Sequence, residues 1–131
     1  MLDKRKFYIN GEWVKPSKAN DFEVINPSNE EAFAIISLGF KEDTNAAVES
    51  AKKAFVEWKE TSKEKRITLL EKLLKIYKKR FNEMSETISI EMGAPIDWSS
   101  STQTASGQSH LEDFILRIKN FNFEEHFDLK S

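Results

Sequence analysis

Residues 62–95 read SKEKRITLLEKLLKIYKKRFNEMSETISIEMGAP, and apolar side chains recur in this stretch at alternating steps of three and four positions. This spacing places side chains on one face of an α-helix and predicts a long amphipathic helix. Ser62 is a suitable N-cap, while Gly93 and Pro95 are typical of a helix end. The sequence therefore predicts one helix from about Lys63 to about Met92. Its apolar positions are Ile67, Leu70, Leu74, Tyr77, Phe81, Met84 and Ile88, widened by Leu69, Leu73 and Ile76.

A shorter helical pattern precedes this stretch. Glu42 and Asp43 lie near its start, where carboxylates interact favourably with the helix dipole. Its apolar side chains fall on one helical face. That face consists of Ala47, Ala51, Ala54, Phe55 and Trp58.

The first 40 residues have the pattern of two β-hairpins. The pair Asn10-Gly11 tolerates the positive φ values of a type I′ turn, and short apolar runs flank it. Pro27 lies in a second turn, at 26–29, between two further runs of strand-forming residues. The predicted strands are 7–9, 12–14, 22–25 and 31–37.

The segment 96–121 permits two interpretations. Apolar side chains at helical spacing favour a third helix. The Ser/Thr-rich part around 99–109, which includes Gly107, instead favours a flexible linker before a short helix at 110–121. The expected organisation is one incomplete domain, with hairpins over 1–40, helices over 42–121 and a truncated tail over 122–131.

The composition argues against a self-contained catalyst. The chain has 131 residues, no cysteine and two histidines, His110 and His126. Without cysteine there can be no disulfide, thiolate metal site or cysteine nucleophile. Two histidines do not make a convincing metal site, so none is expected. The four glycines lie far apart, and no Gly-rich phosphate loop can be written.

Charge is unevenly distributed along the chain, although the net charge is −2. Residues 59–80 carry a net +6 and residues 81–131 a net −6. A basic cluster can bind nucleic acid or anionic lipid. Because no nucleic-acid motif accompanies it, we favour a solvated helix face with the acidic segment folded back nearby. The cluster comprises Lys72, Lys75, Lys78, Lys79 and Arg80.

The sequence shows no sign of membrane insertion or secretion. No apolar run approaches the roughly 20 residues that a membrane span requires. Glutamates also interrupt the basic face of the long helix, which disfavours binding to an anionic membrane surface. The charged N-terminus lacks the apolar region of a secretory signal. We therefore expect a cytoplasmic protein that binds neither membranes nor nucleic acids.

Several residues invite functional assignments that the pattern does not support. A lone His110 is typical of a helix surface or an interface, and Glu91 is typical of a helix end. Residues 99–101, three serines, predict a poor helical turn rather than a modification site. No catalytic, cofactor-binding or metal-binding residue is therefore assigned. The tryptophans expected to be core or interface anchors are Trp13, Trp58 and Trp98.

Five motifs follow one another along the chain: YINGEW at 8–13, VINPSNE at 24–30, the apolar face of 47–58, the helix start with Ser62, Arg66 and Leu70, and EMGAP at 91–95. Taken in order, these motifs resemble the N-terminal part of the NAD(P)-dependent aldehyde dehydrogenase superfamily. Ala94 stands where that family more usually has Lys, which resembles a bacterial subgroup, and Gln103, Gly107 and His110 fit that subgroup.

The resemblance implies a fold and a reaction. The fold class is α/β, which a fragment of this length would show as α+β: two N-terminal β-hairpins, then two or three long helices on the outside of a cofactor-binding domain. In the reaction, an active-site cysteine attacks an aldehyde, hydride passes to NAD or NADP, and a glutamate base assists hydrolysis of the thioester.

The resemblance also implies that this chain is inactive alone. The family's catalytic cysteine, its glutamate and its cofactor-binding turn lie beyond the position that matches Ser131, so we expect no NAD or NADP to bind here. The expected partner is the remainder of the dehydrogenase, if the chain is split, and the family is usually homo-oligomeric. The alternative is a non-catalytic helical interaction module or a separately encoded subunit, because the 67–88 stripe also suits helix pairing.

Overall fold

Five short strands form two small sheets in this computed structural model, which describes residues 1–127. The Asn10-Gly11 turn has φ values of 55° and 82°, as a type I′ hairpin requires. The predicted first hairpin is therefore confirmed, with the predicted strand bounds. The strands are β1 (Leu2–Lys4), β2 (Phe7–Ile9), β3 (Glu12–Val14), β4 (Asp21–Asn26) and β5 (Glu31–Ser37).

The second predicted hairpin lies in a three-stranded sheet of order β1-β5-β4. Strands β4 and β5 pair antiparallel, while β1 pairs parallel with β5 and sets Leu2 opposite Ala34. The prediction of two β-hairpins was incomplete, because β1 was missed. A three-residue strand has too few alternating positions to show a period, and its partner lies some thirty residues away in sequence.

The helices follow the strands along the chain. Ser62 caps α2 as predicted, because its Oγ accepts the Lys65 N–H at 3.2 Å. Gly93 ends α3, also as predicted. The helices are α1 (Lys41–Trp58), α2 (Lys63–Lys79), α3 (Phe81–Met92), α4 (Ile96–Trp98) and α5 (Ala105–Asn120), with a π-helical segment, Ser99–Thr104, between the last two.

The single helix predicted from about Lys63 to about Met92 was wrong. The structure breaks it at Arg80, whose φ and ψ are −103° and 17°. No Gly or Pro stands at this point, so the local sequence carries none of the usual break signals. The helices on the two sides of the break pack on different elements. Helix α2 lies against α5, whereas α3 lies against the π-helical segment and β4.

The linker interpretation of the Ser-rich segment was also wrong. Helical backbone runs through α4, the π-helical segment and α5, which confirms the alternative of a third helix. Tertiary contacts with α3 override the weak helix propensity of the serines. Of the predicted tail 122–131, residues 122–127 form no helix or strand, and residues 128–131 lie outside the described part.

Few apolar side chains are fully buried within residues 1–127. The buried apolar residues are Ala34 in β5 and Ile115 and Ile118 in α5. The two isoleucines lie where α5 packs on α2, and Ala34 lies in the central strand of the larger sheet. Within residues 1–127, the fully buried apolar residues thus lie at two separate places, in β5 and in α5.

Candidate functional site

The polar residues of potential chemical interest do not converge. Glu91 is exposed near the end of α3, and His110 is exposed on α5. The serines at 99–101 belong to the π-helical segment, so the prediction of a helical turn there holds. Within residues 1–127, no three His, Cys, Asp or Glu side chains come together as a metal site. The absence of catalytic and cofactor-binding residues stays a prediction.

The three tryptophans are not core residues of this chain. Trp13, Trp58 and Trp98 are 66%, 47% and 45% exposed, which excludes the first of the two predicted roles and leaves the second, an interface. Trp13 contacts Tyr8 with ring centroids 5.2 Å apart, and the Arg66 guanidinium lies 5.6 Å from the Trp58 ring. The Trp13 and Trp58 rings are thus each held on one side, while their remaining surface stays exposed.

A buried carboxylate ties α1 to the loop after the first hairpin. Asp43 accepts hydrogen bonds from the Phe40 N–H at 2.8 Å, from the Ser17 N–H at 2.7 Å and from the Ser17 hydroxyl at 3.0 Å. The Phe40 N–H, followed by the Ser17 donors, lowers the pKa of Asp43 against the opposing effect of burial. Its three donors are backbone N–H groups and a hydroxyl, which is the arrangement of a structural carboxylate.

A second charged cluster lines an open cleft beside the N-terminus. Arg5 donates to Asp3 at 2.7 Å and to Asp21 at 3.1 Å, which ties β1 to β4. The Arg5 hydrogen bond lowers the pKa of Asp3 to about 2. The cleft has a volume of about 650 Å³, and Trp13 and Lys15 contribute to its wall. Its ionic groups are solvent-exposed, and such pairs contribute little to stability.

The best-defined polar contact lies between α2, α3 and the π-helical segment. The Tyr77 hydroxyl donates to the Thr104 carbonyl at 2.9 Å. The hydroxyls of Ser85 and Thr104 lie 2.9 Å apart, and both residues are buried. Ser99 is fully buried, and its hydroxyl has no protein partner among residues 1–127. The Tyr77, Ser85 and Thr104 hydroxyls link α2, α3 and the π-helical segment. Within the described part of the chain, none of these four hydroxyls bonds to a His, Asp or Glu side chain that could act as a base.

Gly107 permits this contact, and sequence reasoning did not assign it that role. A Cβ at Gly107 would lie 2.4 Å from the Tyr77 hydroxyl oxygen and 3.1 Å from Cζ, so a larger residue would collide with the ring. The signal was present, because a glycine inside a helical pattern often marks a close approach. What the sequence could not show was which side chain approaches.

The acidic C-terminal segment folds back on the basic helix, as predicted from the charges. Lys78 pairs with Glu112 at 2.6 Å, and Lys119 pairs with Glu71 at 2.9 Å, so ion pairs cross between α2 and α5 in both directions. The Lys78 ammonium lowers the pKa of Glu112. Part of the predicted basic cluster is therefore neutralised within the fold.

The most unusual property of the molecule is its exposed apolar surface. The chain exposes 10666 Å² in total, whereas a compact monomer of 15.2 kDa is expected to expose roughly 7,000 Å². Large apolar side chains remain open on every helix from α1 to α5, among them Phe55, Val56, Ile76 and Leu116 at 53% to 64% exposure. Such an excess indicates surface that another part of a protein covers.

Comparison with known proteins identifies that larger context. The aldehyde dehydrogenase family model matches residues 13–128. The chain belongs to the aldehyde dehydrogenase family. A crystal structure of aldehyde dehydrogenase from Bartonella henselae is 52% identical and superposes with a TM-score of 0.96, and the match covers 100% of this chain and 28% of that one.

Other aldehyde dehydrogenases agree on the extent of the match. The 3-succinoylsemialdehyde-pyridine dehydrogenase of Pseudomonas sp. is 38% identical over 126 residues, which are 95% of this chain and 26% of that protein. An aldehyde dehydrogenase C mutant from Pseudomonas syringae, solved with NAD⁺ and octanal, is 30% identical with a TM-score of 0.92 and coverage of 95% and 26%. The chain thus spans about a quarter of the length of the relatives it matches.

These findings confirm the family and the fold class inferred from the motifs. The mixed α/β architecture is that of the N-terminal, cofactor-binding part of an aldehyde dehydrogenase, and the short coverage supports a fragment. Within residues 1–127, no helix combines the length and apolar character needed to cross a membrane.

Proposed function

We propose that this chain forms the N-terminal quarter of a cytoplasmic NAD(P)-dependent aldehyde dehydrogenase and is catalytically inert by itself. The observation that carries the proposal is a fold superposing at a TM-score of 0.96 on 28% of a longer dehydrogenase, in a sequence without cysteine. Aldehyde oxidation through a thioester needs a thiolate, and a serine has no comparable nucleophilicity at neutral pH.

The residues present do not fit a nicotinamide cofactor by themselves. The four glycines stand singly at 11, 39, 93 and 107, so the chain has no Gly-rich turn on which a pyrophosphate could lie. In the complete enzyme, NAD or NADP would accept the hydride removed from the aldehyde. This chain contributes no step of that chemistry in our proposal.

What the chain supplies is a scaffold of three packed helices. Ile115 and Ile118 hold α5 against α2, and the Tyr77 hydroxyl holds the π-helical segment. A rigid outer layer of this kind would support the sheet that carries the cofactor in the complete domain. The homo-oligomeric state usual in the family is part of the same proposal.

A cofactor-reduction assay tests the proposal directly. Purified chain is incubated with NAD⁺ or NADP⁺ and a panel of aliphatic and aromatic aldehydes, and formation of reduced nicotinamide is followed by absorbance. We expect no signal above buffer, with a complete aldehyde dehydrogenase as the positive control. Reduction in proportion to the amount of chain, retained through a second purification step, would overturn the proposal.

A second candidate, a helical interaction module, has one observation in its favour. Leu69, Leu73 and Ile76 of α2 are 37%, 47% and 53% exposed and form an apolar row. If this row pairs two copies, sedimentation will show a dimer whose mass persists on dilution. A chain that instead binds a hydrophobic dye and aggregates irreversibly favours the fragment.

A further inference from the structure

The turn of the first hairpin contains the only asparagine in the chain that is followed by glycine, at Asn10-Gly11. An asparagine side chain carries an amide carbon that the backbone nitrogen of the next residue can reach, which closes a five-membered ring. A side chain on that next residue crowds the attacking nitrogen, and glycine has none. The pair therefore joins an electrophilic carbon to the least hindered backbone nitrogen that a polypeptide offers.

Both reacting groups are open to solvent in the structure. Asn10 and Gly11 are exposed, and a Cβ built at Gly11 would meet nothing within 4 Å. The strands pair Ile9 with Glu12, so the ladder bypasses the Gly11 N–H, which donates to no acceptor within residues 1–127. The Gly11 nitrogen therefore has no hydrogen bond to give up before it attacks.

Weak contacts hold the turn in its native conformation. Strands β2 and β3 have three residues each and form a sheet of their own, and a hairpin of two strands is only marginally stable. The Ser50 hydroxyl on α1 donates to Asn10 Oδ1 at 3.3 Å, which is long for a hydrogen bond and lies in an exposed position. Asn10 and Gly11 can therefore leave the type I′ conformation by local opening, which costs less than unfolding the chain.

We propose that Asn10 loses its side-chain amide in the folded chain and is converted into aspartate and isoaspartate. The Gly11 nitrogen bonds to Asn10 Cγ, and the bond from Cγ to Nδ2 breaks. The proton of the Gly11 N–H passes to solvent, while Nδ2 takes up a proton and leaves as ammonia, which yields a cyclic imide. Water, the only co-reactant, then opens the imide. Aspartate forms when the new bond to nitrogen breaks, and isoaspartate forms when the original peptide bond breaks.

Isoaspartate changes the hairpin more than aspartate does. It places Cβ in the main chain, so the connection between β2 and β3 gains one atom, whereas a two-residue type I′ turn matches the paired strands. The longer connection disturbs the cross-strand pair Tyr8 and Trp13, whose ring centroids are 5.2 Å apart. It also moves the acceptor away from Ser50, which loosens the hairpin from α1.

Ageing of the full chain in mildly alkaline buffer tests the proposal, because hydroxide removes the Gly11 N–H proton. Mass spectrometry follows the tryptic peptide that carries Asn10, and chromatography separates its aspartate and isoaspartate forms. Asn45 is the internal control, since it is also exposed but lies within α1 and is followed by Ala46. Asn10→Gly is the control for the turn, because Gly-Gly also suits the type I′ conformation and has no side chain to convert.

We expect Asn10 to be converted at least roughly tenfold faster than Asn45, which corresponds to about 1.4 kcal/mol in activation free energy. Isoaspartate should be among the products, because only the imide route forms it. Equal rates at Asn10 and Asn45 would overturn the modification site. Aspartate as the sole product would show direct hydrolysis of the side chain and overturn the imide step.

Ile115→Ala shows whether local opening of the turn is sufficient. This variant weakens the contact between α5 and α2 and raises the unfolded fraction without altering the hairpin. We expect the rate at Asn10 to stay within roughly twofold of the rate in the parent chain. A rate that rises with the unfolded fraction would place the reaction in the unfolded chain and contradict the proposal. Low urea concentrations give the same test if the variant fails to fold.

The effect on the hairpin has its own measurement. In the aged chain, the NMR signal of the Trp13 indole N–H should move in proportion to the isoaspartate formed. In aged Asn10→Gly, the signal should keep its starting position. Isoaspartate that forms while the Trp13 signal stays unchanged would show that the modification does not loosen the hairpin.

Discussion

Helix α1 and the α2–α5 pair have similar sequence patterns but different surroundings. Each contains apolar side chains at helical spacing, and each begins with a well-made N-terminal hydrogen bond. In α5, Ile115 and Ile118 are 6% and 8% exposed. In α1, Phe55 and Trp58 are 59% and 47% exposed, and the only buried side chain belongs to Asp43.

The difference shows what an amphipathic pattern predicts and what it does not. The pattern identifies the face of a helix that is apolar enough to be buried. It does not state whether the covering partner belongs to the same 131 residues. In this chain α5 covers one face of α2, whereas the apolar face of α1 stays open. Matched substitutions in the two regions test whether their contributions to the free energy of unfolding differ as their exposure does.

The largest contrast is expected for truncation of a buried side chain. Ile115→Ala should lower the free energy of unfolding by about 2–5 kcal/mol, because it removes apolar contacts and leaves a cavity between α5 and α2. Val56→Ala on α1, where the side chain is 64% exposed, should change it by less than about 0.5 kcal/mol. Urea unfolding followed by circular dichroism measures both. Equal losses would mean that the two helices are equally packed in solution.

A somewhat smaller loss of stability is expected when a side chain is added at the contact between α5 and α2. Gly107→Ala should destabilise the chain by about 1–3 kcal/mol, although alanine is the better helix former, because the new Cβ meets the Tyr77 hydroxyl. In a Tyr77→Phe background, the same substitution should cost less, since the nearest oxygen is gone. A double-mutant cycle with the same unfolding assay measures the coupling. Additive losses would show that Gly107 and Tyr77 do not meet.

The sequence predicted local features better than it predicted partners. Asn10-Gly11, Ser62 and Gly93 act within a few residues of themselves, and the turn, the cap and the helix end all lie where they were expected. The break at Arg80 and the pairing of β1 with β5 depend on elements far along the chain, and both were missed.

The candidate site was predictable to a similar degree. The fold-back of acidic on basic segments followed from the charges, because opposite net charges in neighbouring segments attract. The contact between Tyr77 and Gly107 could not be predicted, because a glycine indicates a close approach but not which side chain approaches. The role of the exposed tryptophans could not be predicted, because it depends on what covers their rings, and residues 1–127 leave them exposed.

Removal of the α2 cap should have a moderate effect. Ser62→Ala should cost about 1 kcal/mol, because the Lys65 N–H loses its acceptor, while Ser62→Gly should cost only about a few tenths. Thermal unfolding of the two variants beside the parent chain gives the comparison. If alanine and glycine are equivalent at this position, the hydrogen bond from Lys65 does not form in solution.

The smallest effect on global stability is expected at the start of α1, and it should depend on pH. The Phe40 N–H, with help from the Ser17 donors, holds the pKa of Asp43 below the ordinary value of 3.8. A carboxyl with a lowered folded-state pKa contributes its full stabilisation above the unfolded-state pKa and loses it as pH falls through the folded-state value. The tie between α1 and Ser17 should therefore be intact at neutral pH and break only in acid.

Local measurement is needed to see this effect, because Asp3, Glu83, Glu112 and Asp113 also have lowered pKa values and contribute to global acid unfolding. The amide shift of Phe40, followed by NMR during an acid titration, reports on Asp43 alone. We expect its midpoint below 3.8, and Asp43→Asn should abolish the titration while leaving the α2–α5 amides unchanged. A Phe40 midpoint at the ordinary aspartate value would show that α1 is not anchored. Helix α1 would then differ from the α2–α5 pair in its attachment to the rest of the chain as well as in burial.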